Sequence, residues 1–222
     1  MAAYEGPILL GNAPDYRGLG VAQSNRATIE AYASQNAPAI AVAAGIAVQS
    51  QWGPGLQDWA EEHVFGDTNP SQGIAQMTPS EMQKYLGGGS AFDSNLAIQA
   101  MARKIGASVG ACVGCSTTDK FIVAGMAQNG FLPSDVSYVL EKYRKDGIID
   151  WSGYFAKQEA PSGGAKNNWL ALRSGGRSWN LFQLQLFLND LMALKEKGWE
   201  LPSDVNLSYL QCLTSGASQC NP

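Results

Sequence analysis

Apolar positions recur at helical spacing along most of the chain, and few stretches alternate as strands do. Asn25 to Ser34 (NRATIEAYAS) predicts one helix. Pro38 can open the next, because proline is tolerated in a first turn, and the glycines and proline of WGPG stop it near Gln51. This helix is apolar nearly all round, and no charged residue occurs from Ala31 to Gln57, so it should lie buried at the centre. A mixed stretch, Leu56 to Ser71, closes on the loop signal GDTNPS. TPSEMQKYL predicts a helix capped by Thr78 or Ser80 and broken at Gly87 to Gly89. Asp93 or Ser94 should cap a helix reaching about Ala107, and SVGACVGCSTTD should be a loop. Lys120 to Gln128 predicts a second apolar helix, ended by Asn-Gly. Leu132 to Gly147, with proline at its start and glycine at its end, predicts a helix, and Ser178 to Gly198 predicts a long amphipathic helix. Strand signals are confined to short runs such as Ile8 to Leu10 and Gly147 to Trp151. The expected fold class is mainly α.

Composition narrows the partners. The chain has 222 residues, 45% hydrophobic and 15% charged, ample for a buried core. A net charge of -4 and a pI near 5.0 argue against nucleic acid as a partner. No basic stretch stands out, and Arg103, Lys104 and Lys142 to Lys145 read as ordinary helix-surface charges. The longest apolar run, Ala37 to Val48, is about 12 residues, short of the roughly 20 that cross a bilayer. The N-terminus lacks a basic n-region and a full apolar h-region, so no signal peptide is expected within this sequence.

Four cysteines fall as C-x2-C (Cys112, Cys115) and C-x7-C (Cys212, Cys220). Local disulfides, 112 with 115 and 212 with 220, are the leading reading and imply a secreted or periplasmic setting. Free thiols, or a metal or redox dithiol, remain as alternatives. A zinc site would more often carry paired knuckles or matching histidines, and the single histidine, His63, has no such spacing. No metal and no cofactor is expected.

Familiar catalytic motifs are missing. The sequence has no G-x-S-x-G elbow, no H-E-x-x-H and no P-loop. What it has is three blocks in order. AIAVAAGIAVQSQW ends the apolar helix. NPSQGIAQMTP, containing Ser71 and Gln76, follows about twenty residues later, and MAQNGF, containing Gln128 and Asn129, closes the later apolar helix. Together they resemble the signature of the lysozyme-like superfamily of lytic transglycosylases, goose-type lysozymes and related chitinases. The resemblance covers about residues 25–146. It leaves 1–24 as an N-terminal segment and 147–222 as a helical extension packed on the core, and a monomer is expected.

What the resemblance implies is cleavage of a β-1,4-linked N-acetylhexosamine polymer, peptidoglycan above all. The family's catalytic glutamate falls at Gln49. An amide can hydrogen-bond there, but it cannot give an acidic proton to a glycosidic oxygen. Either Gln49 is a substitution that inactivates an enzyme, or the chain is a natural relative that binds glycan without cutting it or uses another acid; the plain alternative is that Gln49 and Ser50 only cap a helix end. A lytic transglycosylase needs one glutamate. An inverting hydrolase of the chitinase type adds a base carboxylate ~6.5–9.5 Å away. Glu62, then Asp67, then Glu61 are the candidates for that base, with solvated surface charge as the alternative for each. Gln76 matches the family glutamine that lines the sugar site, and Asn129 could orient substrate. Ser50, Ser71 and Gln128 complete the blocks, with Gln128 where the family usually has tyrosine. Trp52 and Trp59 could stack on sugar rings, while Trp151, Trp169, Trp179 and Trp199 suit packing.

Overall fold

The computed structural model describes residues 17–50, 71–157, 179–215 and 220. These residues are mainly helical. In chain order they form α1 (Arg17–Ser24), α2 (Arg26–Tyr32), α3 (Ala39–Ser50), α4 (Pro79–Leu86), α5 (Ser94–Gly110), α6 (Thr117–Ala127) and α7 (Pro133–Tyr143). A two-stranded hairpin, β1 (Arg144–Lys145) and β2 (Ile148–Ile149), comes next. It leads to α8 (Trp151–Ala156), α9 (Trp179–Glu196) and α10 (Leu207–Ser215).

The expectation for the apolar helix holds. Every residue of α3 is buried except Ala39 and Gln49. Its neighbours are α1, α2, α5, α6 and α9. Ile40 and Ile46 on α3, Met101 and Ile105 on α5 and Ile122 on α6 are fully buried. Each such side chain contributes about 1.5–3 kcal/mol of hydrophobic stabilisation relative to exposure. Two glycines let these helices close up. A Cβ at Gly45 would stand 3.4 Å from Gln128 Cβ, and one at Gly125 would stand 2.8 Å from both Leu184 and Phe187 of α9. Gly45 therefore admits the end of α6 against α3, and Gly125 admits α9 against α6.

Caps set the helix boundaries. Thr78 forms a capping box with Glu81 and starts α4, which Gly87 ends in a left-handed conformation at φ 79°. Asp93 caps α5 through the Asn95 and Leu96 amides. The stretch expected as a loop between 108 and 119 is shorter than that. α5 runs on to Gly110, and Ser116 with Asp119 makes a second capping box that starts α6 at Thr117. The run from Gly147 to Trp151 divides: Ile148–Ile149 pairs antiparallel with Arg144–Lys145, and Trp151 already begins α8. Asp146 and Gly147, at φ 53° and 82°, supply the left-handed pair a two-residue hairpin turn requires.

Two expectations are corrected. α9 is not amphipathic along its middle. Between Gln183 and Leu194 most positions are buried, Gln183 and Asp190 among them, because the helix lies against α3, α6 and α10. Lys104 is not a surface charge. It is 4% exposed, whereas its neighbour Arg103 is exposed and donates to Tyr85 O at 2.9 Å.

Both cysteine pairs form disulfides, Cys112–Cys115 and Cys212–Cys220, and these are compatible with an extracellular location. No helix among the described residues is long and apolar enough to cross a membrane. Trp151 and Trp199 are buried, their indole N–H groups donating to Asp119 Oδ1 at 2.8 Å and Gln23 Oε1 at 3.1 Å.

Candidate functional site at the end of the central helix

The last turn of α3 presents one partly exposed side chain, Gln49. Ser50 beside it is fully buried, and its hydroxyl donates back to Ile46 O at 2.6 Å. That bond ties Ser50 into its own helix and keeps its hydroxyl inside, away from the sugar-binding surface the resemblance implies for it. Gln49 Nε2 donates to two oxygens of one residue, Gln128 O at 3.3 Å and Gln128 Oε1 at close range. The first and third sequence blocks therefore meet in direct contact.

Gln128 is buried and ends α6 as its C-cap. Its own Nε2 donates to Gly125 O at 3.2 Å and to Gln183 Oε1 on α9 at 3.5 Å. Three glutamines from α3, α6 and α9 thus form a chain in which each amide orientation suits the next. Asn129 follows, half-buried, its backbone N–H held by Met126 O at 3.0 Å.

The second block joins through charge. Lys104 Nζ, from α5, donates to Gln128 O at 3.3 Å and pairs with Glu81 Oε1 at 2.6 Å. Glu81 is the residue that caps α4 immediately after the second block, with Oε2 accepting from Thr78 N at 3.0 Å. Burial alone would raise the Glu81 carboxyl. The charge and hydrogen bond of Lys104, with those from Thr78, more than offset it and hold the group below 4.5. Glu81 is therefore a bound carboxylate and no proton donor. The sequence reading missed both Glu81 and Lys104.

The second block itself is a tight turn. Gln72 and Met77 exchange backbone hydrogen bonds at 3.0 Å, and Gln76 Nε2 donates to Gly73 O at 2.8 Å. Ser71 Oγ donates to Gln76 Oε1 at 3.0 Å. A Cβ at Gly73 would lie 1.9 Å from Ala91 O, so only glycine fits there. Gln76 carries φ 47°, uncommon for a residue with a side chain. The turn holds the Gln76 side chain folded inward, largely buried.

Trp52, Trp59, Glu61, Glu62, His63 and Asp67 lie outside the described residues, as does Trp169. Among the described residues no cluster of His, Cys, Asp or Glu could hold a metal ion.

No protein-family model matches the sequence, and neither the curated proteins nor the solved structures compared with it give a significant match.

Proposed function

We propose that the chain is a lysozyme-like glycan-active protein. Its parent reaction is cleavage of β-1,4-linked N-acetylhexosamine polymers, peptidoglycan foremost, and with Gln49 in place it holds the glycan without cutting it. The observation that carries the reading is the contact of Gln49 with Gln128. The one side chain that the last turn of the buried helix lets reach the surface touches the block that the family motif would put beside its catalytic acid.

The chemistry at this position can be worked out from its neighbours. A glutamate at 49 would face Gln128 O and Oε1, both acceptors, at the end of a helix without charge. Its protonated form could donate to one of them. Its ionised form would meet two oxygens of like polarity in a half-buried setting. Both effects favour the protonated acid, the form that gives a proton to a departing glycosidic oxygen. The Lys104 ammonium on the same Gln128 carbonyl pulls the other way, and its pairing with Glu81 weakens that pull. An amide in the same place keeps the geometry and has no acidic proton.

A second reading is favoured by the same two hydrogen bonds. The Nε2 of glutamine has two N–H groups, and Gln128 offers two oxygens for them. The site suits glutamine as the native residue of a non-catalytic glycan-binding protein. Gln49→Glu separates the readings. A variant that releases soluble sugars from peptidoglycan or chitin oligomers supports the enzyme parentage, and anhydro-muramyl or reducing ends then distinguish transglycosylase from hydrolase. A variant that folds and sediments with insoluble glycan but cuts nothing supports the binder. Folded protein that neither binds nor cuts either polymer overturns both.

A further inference from the structure

The C-x2-C disulfide lies on a different part of the molecule, between the end of α5 and the start of α6. Its two sulfurs are not equivalent. Cys112 is 2% exposed, whereas Cys115 is partly exposed and borders a cavity of about 520 Å³. That cavity is also lined by Gly114, Ser116, Asp119, Ile148 and Tyr209. Two of the most exposed large apolar residues stand nearby, Val113 next to the pair and Ile148 on the cavity wall.

A cation attends the outer sulfur. Arg144 Nη2 lies 3.2 Å from Cys115 Sγ, and Nη1 donates to Val113 O at 3.0 Å. Among the described residues Arg144 forms no ion pair, and its buried Nε has no hydrogen-bond partner. So, among the described residues, the guanidinium is bound by a carbonyl and a sulfur and meets no anion. Cys115 also immediately precedes Ser116, the N-cap of α6, where the helix dipole favours negative charge. The other titratable groups facing the cavity are Asp119 and Tyr209. Asp119 opposes an anion, but both its oxygens are taken, Oδ2 by Ser116 and Oδ1 by Trp151. Burial, with the Asp119 and Asp150 charges adding to it, pushes the Tyr209 phenol up to about 12, so it stays neutral.

We propose that Cys112–Cys115 is an exchange-active disulfide, with Cys115 the sulfur that meets an incoming low-molecular-weight thiolate and Arg144 the group that stabilises Cys115 once it is released as a thiolate. The inference is independent of the glycan reading. In the first step the thiolate attacks Cys115 Sγ, a new S–S bond forms, and Cys112 leaves and takes a proton from solvent. In the second, another thiolate attacks the incoming sulfur of that mixed disulfide. A low-molecular-weight disulfide departs, and Cys115 remains as a thiolate against Arg144. The pair gains two electrons and the two external thiols lose them. Access decides the first step, because Cys115 is the partly exposed residue of the pair, and the cation with the helix start eases the second, in which Cys115 is the sulfur released as thiolate.

The test equilibrates the full chain in mixtures of reduced and oxidised glutathione, alkylates it, and reads each cysteine by mass spectrometry. Arg144→Gln should move the midpoint for Cys112–Cys115 about tenfold toward more reducing mixtures, leave Cys212–Cys220 unmoved, and be largely rescued by Arg144→Lys. An unmoved midpoint in Arg144→Gln, or a shift as large in Arg144→Lys, overturns the role of the cation. The reach of the outer sulfur is read separately with oxidised glutathione. Cys112→Ser should form the mixed disulfide at Cys115 at least tenfold faster than Cys115→Ser forms it at Cys112. Equal rates overturn the assignment of Cys115.

Discussion

α3 and α5 each send one donor to the same carbonyl, Gln128 O, and they do so in opposite ways. α3 is without charge and offers the amide of Gln49. α5 offers the ammonium of Lys104 from an interior position. A neutral amide needs only acceptors, and Gln128 supplies two. A buried ammonium needs a counterion as well, and Glu81 supplies it at 2.6 Å. The difference separates two functions around one atom. Lys104 with Glu81 fastens α4, α5 and the end of α6 together, while Gln49 stands at the edge, where its chemistry can be changed without removing a charge from the interior.

The contrast breaks most visibly at Lys104. Lys104→Met strands the Glu81 carboxylate, and urea denaturation should show a loss of about 3 kcal/mol. Much of that loss should return in the double variant Lys104→Met, Glu81→Gln, because no uncompensated charge remains. Gln49→Met removes the neutral donor and leaves Gln128 O still bonded to Lys104, so the same measurement should register only about 1 kcal/mol. Equal losses at the two positions would erase the distinction.

Acid sharpens the comparison with a smaller effect. Lys104 and the Thr78 hydrogen bonds hold the folded Glu81 carboxyl below 4.5 against its own burial. Its contribution is therefore complete above that value and lost as pH falls through the folded pKa. Melting temperature followed on acidification should fall below about pH 4.5 in the unsubstituted chain and fall less steeply in Glu81→Gln. Gln49→Met should keep the full acid slope, since no titrating group is lost.

How legible all this was in the sequence depended on how local its cause is. The course of α3 follows from an unbroken apolar run with a proline before it and WGPG after it. Thr78 and Asp93 announce their helices by side chains that act within three residues. The Ser116–Asp119 box was as legible, written in STTD, and was missed because the glycines and cysteines before it read as loop. Lys104 was not legible. It follows Arg103 directly, and one residue of helix turns the side chain by about 100°, from solvent to interior. Only the position of Glu81, brought over by the packing of α4 on α5, makes that burial tolerable. α9 misled for the same reason. Its glutamine and aspartate suggest a wet face, yet Gln183 is met by Gln128 from a helix more than fifty residues earlier in the chain.

The central claim concerns Gln49 and is tested most directly by replacing its amide with a carboxyl. Purified Gln49→Glu, shown to be folded by its melting transition, is incubated with insoluble peptidoglycan and with chitin oligomers beside the unsubstituted chain. Release of soluble sugar by the variant, with none from the unsubstituted chain, is the predicted result. A folded variant that neither binds nor cuts either polymer would contradict the assignment of this helix end as a glycan site.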